Sequence, residues 1–381
     1  MRDFTFYNPT RIEFGKEKEN NIGNYITDYG LKKVLIVYGS ERIKRDGLLG
    51  RVTASLEKNN IQWVAIGGVV SNPLLSKVHE AIFLAKTENV DAVLAVGGGS
   101  VLDSAKAIAA GALYDGDVWD FFIFKARAEA ALPIFSIMTL AATGSEMNAG
   151  GVVMNDETKE KLAIMTPVLY PKVSVINPDL MATVGKDYLA YSAADIFAHC
   201  LDLYFTATYI PEFNLSLIEN ILRTVMTTTD RLLADPNDYD ARAEFAWAST
   251  IALNGNTFNG VKGNSFDTHM IEHSLSALFN VPHGAGLSAI FPAWMRWHNN
   301  QQPERYERFA RNVFGTEGIE NGIQKLEEWY TKIGTPINLT EANVPKTAIR
   351  DLAENAYVLA TMWGLTEKYP VDTIAEILEM A

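Results

Sequence analysis

Short, wholly apolar runs alternate with helically spaced stretches over the first half of the chain. Val34–Tyr38 is a continuous apolar run ending at Gly39, and Ile61–Ile66 reads as a second strand closed by Gly67 and Gly68. Leu74–Ala85 then carries apolar residues at helical spacing. Asp91–Val96 predicts a third strand ending at Gly97-Gly98-Gly99, with a helix over Ser100–Ala112, and Ile134–Met138 a fourth strand. Continuous apolarity, rather than strict alternation, marks strands covered on both faces. Strand–helix–strand alternation implies right-handed crossovers and a mostly parallel sheet.

Beyond Asn177-Pro178-Asp179 the strand runs stop. Helical periodicity takes over across Tyr188–Phe205, Phe213–Leu233, Ala241–Leu253, Asp267–Leu278, Pro303–Phe314, Ile319–Ile333 and Lys346–Met362. The boundary falls near Gly185. The pattern therefore predicts an α/β N-terminal dinucleotide-binding domain over residues 1–184 and an all-α C-terminal domain over 185–381. In such architectures ligands gather at the carboxyl ends of the parallel strands, commonly in the cleft between domains.

Composition narrows the chemistry. With 48% hydrophobic and 21% charged residues, the 381-residue chain can bury a large core. Its 33 Lys and Arg against 46 Asp and Glu leave a net charge of −13, which disfavours nucleic acid and anionic membrane as partners. A single cysteine rules out an internal disulfide and a Cys-rich metal site. The opening Met1–Tyr7 lacks a long apolar run behind a basic flank, and no stretch has the apolar length of a membrane span, so a cytoplasmic protein is expected. Any metal must then be held mainly by histidine and carboxylate.

Gly97-Gly98-Gly99-Ser100-Val101-Leu102-Asp103 joins a buried strand to a helix. Glycine permits close approach of the backbone to a phosphate, and the helix N-terminus offers free N–H groups and positive dipole. Leu102 stands where the last glycine of G-x-G-x-x-G would be, and no Gly-Lys-Ser/Thr follows, so neither the Rossmann fingerprint nor a P-loop is matched. The competing reading is a tight strand-to-helix turn with no ligand. Three successive glycines exceed what a turn needs, which favours a diphosphate site. A second polar turn, Thr139–Asn148, follows the fourth strand; its hydroxyls and amide suit ribose or carboxamide oxygens, although such residues are also ordinary turn formers. After the first strand, Gly39 carries no carboxylate that would repel a 2′-phosphate, and Arg42, Lys44 and Arg45 follow. Glu41 argues the other way. A solvated basic turn is the plainer alternative to an NADP preference.

Four of the six histidines lie between 199 and 283. Asp195 and His199 are four apart, as are His269 and His273, so each pair shares a helical face. His283 follows in Val281-Pro282-His283-Gly284. Aspartate with imidazoles suits a divalent transition metal, zinc or ferrous iron, rather than calcium or magnesium. A single histidine is more often a packed or surface residue, and His79 and His298 are read so. Pairs on otherwise apolar helices would bury polar groups without partners, which weakens that reading for 195, 199, 269 and 283. Cys200 points about 100° away from His199 around the helix and is not expected at the metal.

With these residues in view, the whole chain resembles the iron-containing (type III) alcohol dehydrogenases, and within them the NADPH-dependent butanol or aldehyde dehydrogenase branch. The resemblance rests on Gly97-Gly98-Gly99-Ser100-x-x-Asp103, Ala142-Thr143-Gly144-Ser145-Glu146-x-Asn148-Ala149-Gly150, Asp195-x-x-x-His199, and His269-x-x-x-His273 with Pro282-His283-Gly284. It implies a dehydroquinate-synthase-like fold, Asp195, His199, His269 and His283 as metal ligands, and His273 near the nicotinamide in a proton-transfer role. It implies cofactor contacts at Gly39, Ser40, Asn72, Gly98, Gly99, Ser100, Asp103, Thr139, Asn148, Lys161 and Leu180. The chain departs from the branch in having Ser40-Glu41-Arg42 where a longer glycine-serine turn is common, and Asn177-Pro178 where Asp-Pro is frequent.

The expected function is metal-dependent interconversion of primary alcohols and aldehydes by hydride transfer with NADP(H), NAD(H) being the alternative nucleotide and Fe2+ or Zn2+ the metal. A homodimer acting on a small alcohol or aldehyde is expected. The rivals are a polyol dehydrogenase of glycerol or propanediol type using NAD(H), a lyase on the same fold, and a non-catalytic nucleotide- or metal-binding sensor. Segments 192–205 and 267–280 contain no Lys or Arg, which disfavours a phosphorylated substrate.

Overall fold

In the computed structural model, which describes residues 1–381, the apolar runs of the first half become the middle of a parallel sheet. Six strands, β1 (Arg11–Phe14), β2 (Lys33–Tyr38), β3 (Gln62–Ile66), β4 (Ala92–Gly97), β5 (Ile134–Met138) and β8 (Val173–Ile176), lie in the order β1-β8-β5-β4-β2-β3. All are parallel, with Val34 opposite Ala92 and Val93 opposite Ile134. Every residue of β4, β5 and β8 is buried, whereas edge strand β3 exposes Gln62, Trp63 and Ala65. Parallel strands covered on both faces need no polar face, which is why their sequences run continuously apolar. Val34, Ile36, Leu94, Val96, Phe135 and Val175 form one core cluster with Ile22, Val52 and Leu56.

The helices of this unit are α1 (Ile22–Thr27), α2 (Arg42–Arg45), α3 (Leu48–Lys58), α4 (Leu75–Thr87), α5 (Gly99–Gly111) and α6 (Trp119–Phe122). An antiparallel hairpin, β6 (Gly150–Asn155) and β7 (Glu160–Met165), stands apart from the sheet. Strand order reverses between β2, whose next strand β3 lies on one side, and β4 on the other. Gly39 and Gly97–Gly99 thus flank a topological switch point, where open parallel sheets bind ligands. The sequence reading did not anticipate β1, β8 or the hairpin. Four residues are too few for periodicity to register, and Gly150-Gly151 reads locally as a turn.

The second unit comprises α7 (Lys186–Thr206), α8 (Glu212–Ala234), α9 (Tyr239–Ala252), α10 (Asp267–Phe279), α11 (His283–His298), α12 (Pro303–Phe314), α13 (Ile319–Ile333), α14 (Ile349–Met362) and α15 (Val371–Met380). From Ala190 to Thr206 only Tyr191 escapes full burial, so α7 is the central helix. α12 and α13 are amphipathic and end on Gly315 and Gly334, whose positive φ values of 66° and 86° suit glycine. α10 ends on Asn280 in the left-handed region, and Val281-Pro282 leads directly into α11. His283 is therefore the first residue of a helix that the sequence pattern did not reveal, because Gly284, Gly286 and Pro292 depress its local helix propensity. α15 was likewise not anticipated.

Packing groups Tyr7–Thr183 as one unit and Met1–Phe6 with Val184–Ala381 as the other. The first six residues thus go with the helices rather than with the α/β part expected over 1–184, and the Arg2 guanidinium lies 4.9 Å from the centre of the Tyr209 ring. No helix is long and apolar enough to cross a membrane.

Candidate active site

Three helices of the second unit bring a cluster of imidazoles to one carboxylate. Asp195 and His199 sit one turn apart on α7, His269 on α10, and His283 opens α11. The Nε2 atoms of His199, His269 and His283 lie 3.5, 3.8 and 3.7 Å from Asp195 Oδ1. His199 and His269 stack, with ring centres 4.8 Å apart. Asp195 Oδ1 and His269 Nε2 are buried and make no hydrogen bond. Leaving a buried charged acceptor unsatisfied is costly, at about 1–3 kcal/mol or more. A divalent cation among the four donors removes that cost, and three imidazoles with one carboxylate match ferrous iron or zinc. The residues present therefore fit the metal.

Burial and neighbouring charge act against each other across the cluster. Burial opposes charge on Asp195, yet His199, His283 and His269 hold its carboxyl below the ordinary range. Burial pushes His199 down to about 4, leaving it neutral. Burial also opposes a proton on His269, but the flanking carboxylates of Asp195 and Asp202 outweigh it and lift the group to about 9. Burial raises the Cys200 thiol far above its usual range, so it offers no thiolate.

Two carboxylates that the sequence reading missed orient these imidazoles. Asp202 Oδ2 meets His269 Nδ1 at 2.7 Å and also accepts from the Thr268 hydroxyl at 2.8 Å. Glu272 pairs with His283 Nδ1 and accepts from the Ser276 hydroxyl at 2.5 Å. Such partners hold Nε2 toward a metal and raise ligand basicity. Both are fully buried. A signal existed: Asp202 is three residues past His199 and Glu272 three past His269, each a carboxylate on an apolar helix. Gly286 makes room for Glu272, since a Cβ there would stand 2.7 Å from its Oε1. His273 is buried, with its ring centre 5.7 Å from that of His283 and 6.4 Å from that of Trp363. The Phe266 and His269 rings are nearly perpendicular, with centres 5.4 Å apart. His79 is surface-exposed and pairs with Asp117, whereas His298 is buried, stacked on Trp294 and bonded to Tyr306.

In the α/β unit Gly39 and Ser40 follow β2, Gly98, Gly99 and Ser100 follow β4, Thr139 and Asn148 follow β5, and Asn72 follows β3. Gly98 caps α5 and Gly99 is its first residue. The three glycines also have packing reasons. A Cβ on Gly97 would overlap Val101, one on Gly98 would stand 2.9 Å from Leu140, and one on Gly99 2.5 Å from Thr143. The glycine run is thus required by the junction of two turns, whatever binds there. Asn72 is buried at φ 55°, Thr139 donates its amide to Gly97 O at 3.0 Å, and Ser40 is exposed. Lys161 is buried on β7, and Leu180 is partly buried after β8. Asp103 binds the Ser145 hydroxyl at 2.7 Å and the Val152 amide at 3.0 Å, so both its oxygens are engaged within the protein. Asn148 Oδ1 accepts from Lys106 at 2.9 Å and from the Gly150 amide at 3.0 Å. Lys106, which the sequence reading passed over, is wholly buried.

Comparison with known proteins points the same way. The family described as "Iron-containing alcohol dehydrogenase" matches residues 9–178, and "Fe-containing alcohol dehydrogenase family, C-terminal" matches 189–381. A crystal structure of NADH-dependent butanol dehydrogenase A from Thermotoga maritima is similar with a TM-score of 0.96 and 44% identity, covering 100% of this chain and 99% of that one. The probable NADH-dependent butanol dehydrogenase 1 of Bacillus subtilis is 38% identical over 369 residues, 95% of each chain. The NADPH-dependent aldehyde reductase YqhD of Escherichia coli is 31% identical over 360 residues, 92% of this chain and 91% of its own.

Proposed function

Because the chain belongs to the iron-containing alcohol dehydrogenase family and is an alcohol–aldehyde oxidoreductase using a nicotinamide nucleotide, we propose that it interconverts small primary alcohols and their aldehydes with NADP(H) and one divalent ion, ferrous iron or zinc, held by Asp195, His199, His269 and His283. The observation that carries this reading is the convergence of three imidazole Nε2 atoms on a buried Asp195 oxygen with no hydrogen-bond partner.

When bound, the metal supplies Lewis acidity toward the substrate oxygen and the nicotinamide supplies or accepts the hydride. The chain's own residues bind and orient. Asp195 brings one negative charge to four ligands, so a divalent site keeps net positive charge. Asp202 and Glu272 fix the imidazoles of His269 and His283. The Phe266 ring beside His269, and the lack of Lys or Arg in 192–205 and 267–280, support an uncharged, weakly polar substrate over a phosphorylated one. His273 is the proposed carrier of the proton exchanged with solvent, since a neutral imidazole can move a proton near neutral pH. His273→Ala is expected to slow turnover and flatten the pH–rate profile; an unchanged profile removes the role.

NADP(H) is supported by Gly39, which places no carboxylate at the end of β2, and by the basic residues Arg42, Lys44 and Arg45 just beyond. A preference for NAD(H) is favoured by a different observation. Lys44 is paired with Glu41 at 2.7 Å and Arg42 approaches Asp46 at 3.7 Å, so part of that positive charge is already matched.

Elemental analysis of the purified protein, with nucleotide absorbance followed against butyraldehyde, tests the whole reading. Expected are about one iron or zinc per chain, aldehyde-dependent oxidation of NADPH with a higher kcat/KM than for NADH, and loss of turnover on chelation. Full activity in a metal-free preparation sinks the metal assignment. A higher kcat/KM with NADH selects the second nucleotide reading.

A further inference from the structure

The α5 helix carries two charged residues, Asp103 and Lys106, one turn apart. Lys106 has no solvent exposure. Its ammonium donates to Ser145 Oγ at 2.8 Å, Asn148 Oδ1 at 2.9 Å and Gly150 O at 2.5 Å. Ser145 and Asn148 belong to the turn that leads from β5 to β6, and Gly150 is the first residue of β6. Asp103 accepts from the Ser145 hydroxyl of that turn and from the Val152 amide of β6. The turn is further ordered by its own bonds, Ser145 N to Thr143 Oγ1 at 3.2 Å and Asn148 Nδ2 to Thr143 O at 3.4 Å. Thr143 in turn packs against Gly99, the first residue of α5. The glycine turn after β4 and the polar turn after β5 are thereby one assembly, with α5 as its spine.

Burying an ammonium is costly unless each N–H is satisfied. Here each is, and the three are spent on that turn and on the first residue of β6. An apolar side chain would fill the space among the Ala and Ile residues of α5 at lower cost, but it would fix no polar atom in place. A buried, fully satisfied polar network gives one defined geometry rather than extra stability.

We propose that Lys106 is a positioning residue for the nicotinamide nucleotide, holding Ser145, Asn148 and Gly150 so that the turn after β5 stands preformed beside the N-terminus of α5. This rests on the proposed nucleotide-dependent function. Burial pushes the lysine down to about 8 against the pull of Asp103 and Glu146, so it retains its proton at neutral pH. Without the ammonium the turn samples other arrangements, and apparent nucleotide affinity falls in proportion to the fraction of molecules that remain competent.

The test uses the intact, metal-loaded protein. Lys106→Met keeps length and removes charge; Ser145→Ala is the milder variant, removing the one hydroxyl that Lys106 and Asp103 share. Nucleotide binding is titrated by the fluorescence of NADPH and of NADH, and kcat and KM are measured with butyraldehyde. For Lys106→Met, Kd and KM for the nucleotide are expected to rise about ten-fold or more, with kcat at saturation within about three-fold of the parent and metal content unchanged. Ser145→Ala is expected to raise Kd about three-fold, and it decides the question by itself if Lys106→Met does not fold. A folded variant with the parental Kd overturns the inference, as does a loss confined to kcat. If the unaltered protein binds neither nucleotide, the proposed function falls and takes this inference with it; normal parental binding with unaffected variants removes this inference alone.

Discussion

His269→Ala is expected to lose the metal and to lower turnover with aldehyde by about a thousand-fold, the scale of several kcal/mol of lost transition-state stabilisation. The imidazole contributes Nε2 to the cluster, 3.8 Å from Asp195 Oδ1. Its removal should spare the fold. Asp202, which loses His269 Nδ1, keeps the Thr268 hydroxyl at 2.8 Å and the Thr268 amide at 3.1 Å. The proposed cofactor residues lie in the other unit, so nucleotide affinity should persist. Elemental analysis, nucleotide titration and steady-state rates on the variant check all three points. Stoichiometric metal with near-parental turnover would overturn the ligand assignment.

The second large effect is expected at Gly284. It is the second residue of α11, directly after His283, and its Cα faces the backbone of α7 so closely that an added Cβ would overlap the Tyr191 carbonyl. Backbone cannot yield as a flexible side chain does. Gly284→Ala must therefore push the first turn of α11 away from α7, the helix that bears Asp195 and His199. Overpacking of this kind costs about 1–3 kcal/mol of stability. Displacing one of the four proposed ligands should also weaken metal affinity by about 10–100-fold, as loss of ligand orientation does. Gly50 is the control of opposite sign: it lies within α3, exposed, with open space around its Cα, so Gly50→Ala should stabilise by about 0.5–1 kcal/mol. Thermal unfolding midpoints and metal content of the two variants test the contrast. A Gly284→Ala protein with parental midpoint and metal affinity would show that the helix contact is not needed.

Much of the fold was readable from periodicity. Val34–Tyr38, Asp91–Val96 and Ile134–Met138 became β2, β4 and β5 within a residue at each end, because a strand covered on both faces has an unbroken apolar sequence. The seven helical stretches of the second half became seven of its nine long helices. Two causes account for β1, β8 and α11. β1 and β8 are four residues long, and α11 is written with two glycines and a proline in its sixteen residues, so its helicity comes from close packing rather than local propensity. In the glycine turn, the residues were visible but their packing partners, Val101, Leu140 and Thr143, were not.

At the centre of the second unit, the four-residue spacing of Asp195 and His199 places them on one helical face whatever surrounds them, because 3.6 residues make a turn. The donor types, imidazole and carboxylate without thiolate, follow from composition alone. Local rules of this kind reach no further than one helix. That His269 and His283 arrive within 4 Å of the same Asp195 oxygen, that Asp202 and Glu272 stand behind them, and that Lys106 closes on one turn depend on how separate helices meet. Those meetings are set by side-chain volumes and by glycines such as Gly284 and Gly286, whose missing Cβ atoms matter only against neighbours distant in the chain.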